Sequence, residues 1–469
     1  MPSHRTSSFH MIRRPAGRLA SLASLLFLVL ALVLGPTPAP GHTAVAPPAV
    51  DGSPSVVVDR DFADPDIVRA GAVYHAYATN SGHRHIQHAT SRDLRHWTVD
   101  DRDMLPDPGS WAAPRSDLVW APEVFDDGAG FTMQYTARDR ASGRQCIGVA
   151  RAAAPDGPFR PRGETPLVCP AREGGAIDAS SYTEGGRRYL LWKYDGNCCH
   201  LGQDTWLHLQ PTTWDGTRLT GDPVRLIRQD QPWEGRLVEA PTLVKRAGHY
   251  VLLYSANAYD TSAYATGYAV SPRLTGPYTK APHPLMTTDS LSGAVQGPGG
   301  QDVVEGPDGR DHIVLHGWRG GVRTLYRADL GWAGGHPVVR GSKVIHQAEQ
   351  ARLNNAVVRA APGASGGRAV GHIDHPDSRV EFRVFAASAG PHTLSVHFAN
   401  GSLDAAGTPA AATHRLSVDG TDAGVVLYPH TAWDNWQMTV RTAPLHAGWN
   451  TLSLSKGDLY AELDYIEVS

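Results

Sequence analysis

Trp120-Ala121-Pro122-Glu123, followed by the aromatic and β-branched run Phe131-Thr132-Met133-Gln134-Tyr135-Thr136-Ala137, a further run at residues 147–151 and the turn Asp156-Gly157-Pro158-Phe159, is one unit of a repeat. The same order surrounds Asp64-Pro65-Asp66, Ile177-Asp178-Ala179-Ser180, Glu239-Ala240-Pro241 and Gly299-Gly300-Gln301-Asp302. From Asp64 to Glu123, Asp178, Glu239 and Asp302 in turn, the steps are 59, 55, 61 and 63 residues. A period of this size denotes a repeated supersecondary unit. Each motif precedes two runs that suit a half-buried pleated surface: residues 73–79 and 86–90 in the first unit, 189–194 and 206–209 in the third. Residues 250–255 and 267–270 follow in the fourth, and 312–316 and 324–328 in the fifth. The turn Leu274-Thr275-Gly276-Pro277-Tyr278 nearly copies the one at 156–159. No segment after residue 50 has convincing helical periodicity. Units of this length suit propeller blades with generous loops, so an all-β chain is expected: a five-bladed β-propeller over residues 56–343, then a β-sandwich of jelly-roll type over 344–469.

The length of 469 residues calls for two folded domains. A net charge of −3 argues against a nucleic-acid partner, because no basic stripe exists to neutralise phosphates. The 23 histidines are scattered and read as solvated surface. Arg5, Arg13, Arg14 and Arg18 precede an apolar run at residues 19–34, the pattern of an export signal over residues 1–46, with 47–55 as linker. That run is short for a membrane span, so an extracellular protein with no membrane association after cleavage is expected. Cleavage after Ala44 or after Ala46 fits equally. Four cysteines in an exported chain suggest disulfides. Cys146 and Cys169 could join the second unit to the third, whereas the adjacent Cys198 and Cys199 would form an uncommon vicinal pair. No Cys-x-x-Cys pair suggests zinc.

If the units surround an axis, their acids converge on one pocket. Glycoside hydrolysis needs one protonated carboxyl group to protonate the leaving oxygen and one ionised carboxylate to activate water or attack carbon. A third can raise the acid's pKa by like-charge repulsion. Asp64, Asp178 and Glu239 can fill these roles; any one motif alone is more simply a loop-capping turn.

Residues 60–340 resemble glycoside hydrolase family 43, the five-bladed propeller arabinosidases and xylosidases. The likeness rests on Ala63-Asp64-Pro65-Asp66-Ile67-Val68, Val119-Trp120-Ala121-Pro122-Glu123-Val124, Ala176-Ile177-Asp178-Ala179-Ser180, Val238-Glu239-Ala240-Pro241-Thr242 and Val314-Leu315-His316-Gly317-Trp318. It implies Asp64 as general base, Asp178 as the residue that tunes the acid's pKa, and Glu239 as general acid. It also implies an inverting reaction, with about 6.5–9.5 Å between acid and base to hold a water. Asp66 competes with Asp64, since alternation along an extended segment gives the two similar facing, and Glu234 competes with Glu239; the motif matches favour Asp64 and Glu239. Trp120 reads either as a stacking wall for a sugar ring or as a core tryptophan. Arg323 fits the family's arginine that contacts sugar hydroxyls. His316 fits an axial histidine that lines the substrate site and holds an ion through water; a lone strand histidine can equally be packing. Gln301 stands where many relatives carry a pocket-shaping histidine, which puts substrate preference in doubt.

After Lys343 a second rhythm of short strands begins. Gly371-His372-Ile373-Asp374, Phe398-Ala399-Asn400-Gly401, Gly448-Trp449-Asn450-Thr451 and Leu463-Asp464-Tyr465-Ile466 resemble carbohydrate-binding modules of families 6 and 35. The resemblance implies a structural calcium at Glu349 and Asp464, whose oxygens suit that ion. It also implies a sugar site drawn from Asn400, Trp433, Trp436, Tyr460 and Glu462. No organic cofactor is expected.

The sequence therefore points to a secreted inverting glycoside hydrolase acting on side chains of plant cell-wall hemicellulose or pectin. It is read as an α-L-arabinofuranosidase or exo-arabinanase, working as a monomer on polysaccharide or oligosaccharide. A β-xylosidase is the alternative and an exo-galactanase, against which Asp64 counts, the third. A lectin-like propeller would have no need of three carboxyl groups, and a purely structural protein would leave the ordered acid motifs unexplained.

Overall fold

The computed structural model describes residues 53–468 apart from 116, 117, 282, 334, 387, 388 and 447. The expected signal peptide and nearly all of the linker lie outside the described residues. Among the described residues helix is confined to three-residue 3-10 turns, and no helix is long and apolar enough to cross a membrane.

Five antiparallel sheets are built in chain order. The first holds Asp66–Ala70, Val73–Ala78, Gln87–Ser91 and Trp97–Asp100. The second holds Trp120–Asp126, Phe131–Arg138, Gln145–Ala152 and Arg160–Arg162. Ala176–Glu184, Arg187–Tyr194, Leu207–Thr212 and Val224–Ile227 make the third. Val238–Arg246, His249–Ala256, Ala265–Ser271 and Thr279–Lys280 make the fourth. The fifth contains Gln296–Glu305, Asp311–Arg319 and Val322–Ala333, and the chain's beginning completes it: Ser55–Val58 pairs with Val322–Ala333. His336–Val339 also pairs with that strand.

The first strands of the sheets lie next to one another in a closed cycle, with Gln296–Glu305 returning to Asp66–Ala70. The core is correspondingly divided among the gaps between sheets. Tyr77 and Ile86 of the first sheet pack with Val124, Met133 and Tyr135 of the second. Val251 and Leu253 of the fourth pack with Ile313 and Leu315 of the fifth. Ala76 and Leu94 close the circuit against Val314 and Leu325. A strand covered on both faces has no solvent side to mark with polar residues. This explains why Phe131–Arg138 is buried at every position but the last.

The strand Val344–Gln347 pairs with Glu462–Val468 and so belongs to a separate pair of sheets, of six and five strands. Here burial alternates: Val380, Phe382, Val384 and Ala386 point inward along Arg379–Ala386. They meet Val370, Leu394, Val396, Phe398 and Ile466 of the facing sheet in one apolar core. Disulfides join Cys146 to Cys169, and Cys198 to its neighbour Cys199.

Candidate active site

The repeat has a backbone cause that spacing between acids does not display. Asp64, Ala121, Asp178, Ala240 and Gly300 all take the left-handed conformation, with φ of 51°, 39°, 57°, 49° and 56°. They recur at steps of 57, 57, 62 and 60 residues. In the second to fifth sheets the left-handed residue lies where strand register breaks, between Trp120 and Glu123, Ile177 and Ser180, Glu239 and Thr242, and Gly299 and Asp302. A bulge bends its strand and re-aims the side chains beside it. The acids therefore occupy three different places on one motif, which corrects the register assumed from sequence. Asp64 and Asp178 are the left-handed residues themselves, Glu239 precedes one, and Asp66, Glu123 and Asp302 follow two positions later. Gly300 cannot be replaced by another residue without conflict: a Cβ there would lie 2.5 Å from the His316 ring and 3.0 Å from Asp64 Oδ1.

These bulges surround a cavity of about 520 Å³, lined by Asp64, Asp178 and Glu239 together with Trp120, Gln301 and Arg323. Each acid has its own environment. Burial would raise Asp64, but the charge of Arg323 at 3.4 Å and the hydroxyl of Thr79 help to outweigh it, holding this carboxyl well below the usual range. Among the described residues Asp178 forms no ion pair with a cation, and it accepts the Ala240 N–H at 2.9 Å. Burial first, and then the charge of Glu239, push it up to about 8 against the pull of Lys193. Glu239 is held from both sides: Lys193 Nζ donates to Oε2 at 2.8 Å and the Tyr264 hydroxyl to Oε1 at 2.9 Å. One carboxyl fixed in its ionised form beside another that retains a proton is the division that acid–base hydrolysis requires.

Asp66 and Asp64 both line the cavity, in keeping with the alternation expected, but their partners differ. The kink at Asp64 turns Asp66 into a buried group with Glu123 and Asp302, where Asp66 accepts from Val124 N and Asp302 from Ile67 N. Burial and mutual repulsion raise Asp66 well above its ordinary value and bring Asp302 up to about 7. Glu234 is excluded from the cavity. It caps its own turn and is bound by Tyr254 and Lys280.

Two residues expected at the substrate do other work than direct sugar contact. His316 is fully buried, so a direct hydrogen bond from it to substrate is not available. Its Nδ1 accepts the Asp64 N–H at 3.1 Å, its ring stacks on Tyr264, and burial keeps it neutral by lowering its pKa. Among the described residues its Nε2 has no hydrogen-bond partner. Gln301 lies at the cavity, but its amide is engaged: Nε2 donates to Ala240 O at 2.7 Å and Oε1 accepts from Ser255 at 2.9 Å. It fixes the bulge beside Glu239.

Sequence reasoning missed Lys193, Asp195 and Tyr264. The signal was present for the first: Leu190-Leu191-Trp192-Lys193 places a charge inside a buried apolar run.

In the C-terminal sheets, Asn400 is fully buried and bonds Ala410 O, Tyr428 O and Ser402 N. That removes it from the expected sugar-binding set, because every polar atom of its side chain serves the loop. Trp433 and Tyr460 are exposed, Trp436 is half-buried, and Glu462 is paired with Arg359. Asp464 receives His397 Nδ1 and Ser365 N at Oδ2, leaving Oδ1 unpartnered and buried, as is Glu349 Oε2. Two orphaned carboxylate oxygens fit a hard cation.

Residues 53–330 match the family described as Glycosyl hydrolases family 43. The chain belongs to that family, and it is a glycoside hydrolase. It is 29% identical over 298 residues to an extracellular exo-alpha-(1->5)-L-arabinofuranosidase of Streptomyces chartreusis, covering 60% of this chain and 86% of the relative. It is 25% identical over 292 residues to extracellular endo-alpha-(1->5)-L-arabinanase 1 of Bacillus subtilis, covering 58% and 86%. Among solved structures, a thermostable family-43 glycoside hydrolase is similar with a TM-score of 0.53 at 29% identity, over 60% of this chain and 93% of that one.

Proposed function

We propose that this hydrolase is a secreted, inverting α-L-arabinofuranosidase or exo-arabinanase of plant cell-wall polymers. Asp64 is its general base, Glu239 its general acid and Asp178 the group that tunes the acid. The observation that carries the reading is the separation of environments among three carboxyl groups on one cavity: Asp64 held ionised by Arg323, Asp178 raised to about 8, and Glu239 oriented by two donors. The two arabinan-active relatives support the substrate class, and both being extracellular supports export from the cell. The five sheets are read as the blades of a propeller and the last two as a β-sandwich that binds polysaccharide through Trp433, Trp436 and Tyr460. Glu349 and Asp464 would hold a structural calcium in that sandwich, and the unpartnered His316 Nε2 would reach an axial ion through water.

In the reaction, Asp64 accepts a proton from water as that water attacks the anomeric carbon. Glu239 gives its proton to the leaving oxygen, and the sugar departs with inverted configuration. Asp178, whose own proton is retained to about pH 8, keeps a proton beside the acid. The experiment is parallel hydrolysis of aryl α-L-arabinofuranoside and aryl β-D-xylopyranoside, with product anomer followed by proton NMR and with Glu239→Gln as control. Release of inverted arabinose, lost in the Gln variant by roughly 10²-fold or more, is expected. Release from the xyloside alone would replace the substrate assignment. Retention of configuration, or full turnover by the Gln variant, would overturn the residue roles.

A further inference from the structure

Lys193 is the most deeply buried charge at the cavity. It lies on the strand Arg187–Tyr194 with 1% of its side chain exposed. Its ammonium is 2.8 Å from Glu239 Oε2 and 3.6 Å from Asp195 Oδ1, and it also acts on Asp178. A lysine is rarely buried unless paired; here burial opposes its charge, yet Glu239, Asp195 and Asp178 together hold it firmly protonated. The other groups around this cluster are Tyr264 on Glu239, Asp64 with Arg323 across the cavity, His316, and Arg144 near Asp195. Asp64 has its own cation in Arg323 and Asp195 also feels Arg144, so Lys193 is the positive charge that Glu239, Asp195 and Asp178 share.

We propose that Lys193 is the positioning residue of the general acid: shared with Asp195, it aims Glu239 at the leaving oxygen and sets the pH at which the Asp178–Glu239–Asp195 cluster gives up its working proton. This deepens the proposed function and rests on it for the role of Glu239. The geometry gives the two ends of the device opposite effects. Lys193 disfavours a bound proton on the cluster, while Asp195, which draws the ammonium away and adds a negative charge, favours it. The raised pKa of Asp178, about 8 despite the nearby lysine, is in keeping with a cluster that carries a proton at neutral pH. Because the three groups are coupled, the pH profile reports the cluster rather than one residue.

The test is the pH profile of kcat/KM on aryl α-L-arabinofuranoside, or on arabinan if only polymer is cleaved, for Lys193→Met, Lys193→Arg and Asp195→Asn. Lys193→Met is expected to move the basic limb upward by on the order of one pH unit, to lower kcat and to leave KM nearly unchanged. Asp195→Asn is expected to move the same limb downward, and Lys193→Arg to restore it toward the parent position. A lysine that merely packs would lower stability or kcat without moving the limb, and an unmoved limb in both Lys193→Met and Asp195→Asn overturns the proposal. If Lys193→Met fails to fold by circular dichroism, the downward shift expected in Asp195→Asn decides, and an unmoved limb there overturns the proposal. Glu239→Gln separates the two readings. Full activity there removes the general acid and with it the proposed function, whereas an inactive Gln variant beside an unmoved limb removes only the role of Lys193.

Discussion

Asp178 is left-handed, largely withdrawn from bulk water and without an ion-pair partner among the described residues, three conditions that a residue kept only for stability would avoid. A non-glycine residue in that conformation costs roughly 1–2 kcal/mol, although aspartate tolerates it better than most. Its pKa rises from 3.8 to about 8 on folding. The unfolded chain therefore releases this proton near pH 4 while the folded chain keeps it to about pH 8. Folding stability from this group is complete below pH 4 and falls as pH rises between those values. Asp178→Asn should then unfold at a higher temperature than the parent at pH 7, by on the order of 1–3 kcal/mol, with the difference vanishing near pH 4, while kcat falls sharply. Thermal unfolding of the two proteins across pH checks this, and a variant less stable at pH 7 would contradict it. The acids themselves were legible as residues. Their partners Lys193 and Tyr264 were not, because each reaches the cavity from a part of the chain that no local pattern connects to the motifs.

At the scale of elements, the bulge places the chemistry. Pro65, Pro122 and Pro241 directly follow left-handed Asp64, Ala121 and Ala240. The strand pattern read from β-branched and aromatic runs agrees closely with the sheets, but the acids sit on the left-handed residue, one before it or two after it. That is why a period measured between acids was uneven. The strand Ser55–Val58 makes a different point. It begins the described chain yet pairs with Val322–Ala333, burying Val58 and covering that strand's edge. A chain starting at residue 60 should lose about 3 kcal/mol or more of stability, given the apolar side chains uncovered, and unfold at a lower denaturant midpoint than one starting at residue 47. Equal midpoints would show that the pairing contributes little. The sequence reading placed the start of this segment in the linker, because a strand whose partner lies some 270 residues away leaves no local sign of pairing.

For the whole molecule, the two sheet systems touch through His283 against His346 and His336 against Trp449, with Lys343 bridging to Glu467 at 3.3 Å. The cavity lies on the first strands of the propeller-like cycle, whereas Trp433 and Tyr460 are exposed on the C-terminal sheets. Trp433→Ala with Tyr460→Ala, in the full chain, is expected to abolish retention on insoluble arabinan or arabinoxylan while leaving turnover of a small aryl glycoside intact; a pull-down and a rate measurement together check it. Chelation is expected to lower the thermal midpoint, because Glu349 and Asp464 lie in the C-terminal unit, Glu349 in a 3-10 turn and Asp464 on a strand. Sequence alone determined the all-β class, the repeated unit, the family and the three acids. Those properties are written in short-range patterns of apolar, aromatic and turn residues that any strand or bulge must satisfy locally. Only the tertiary structure decided that Asp66 is buried beside Glu123 and Asp302, that Asn400 and His316 are buried, that Gln301 braces a bulge, and that one lysine serves three carboxyl groups. These depend on distances between residues remote in the chain, and burial and Coulomb interaction act through space rather than along the sequence.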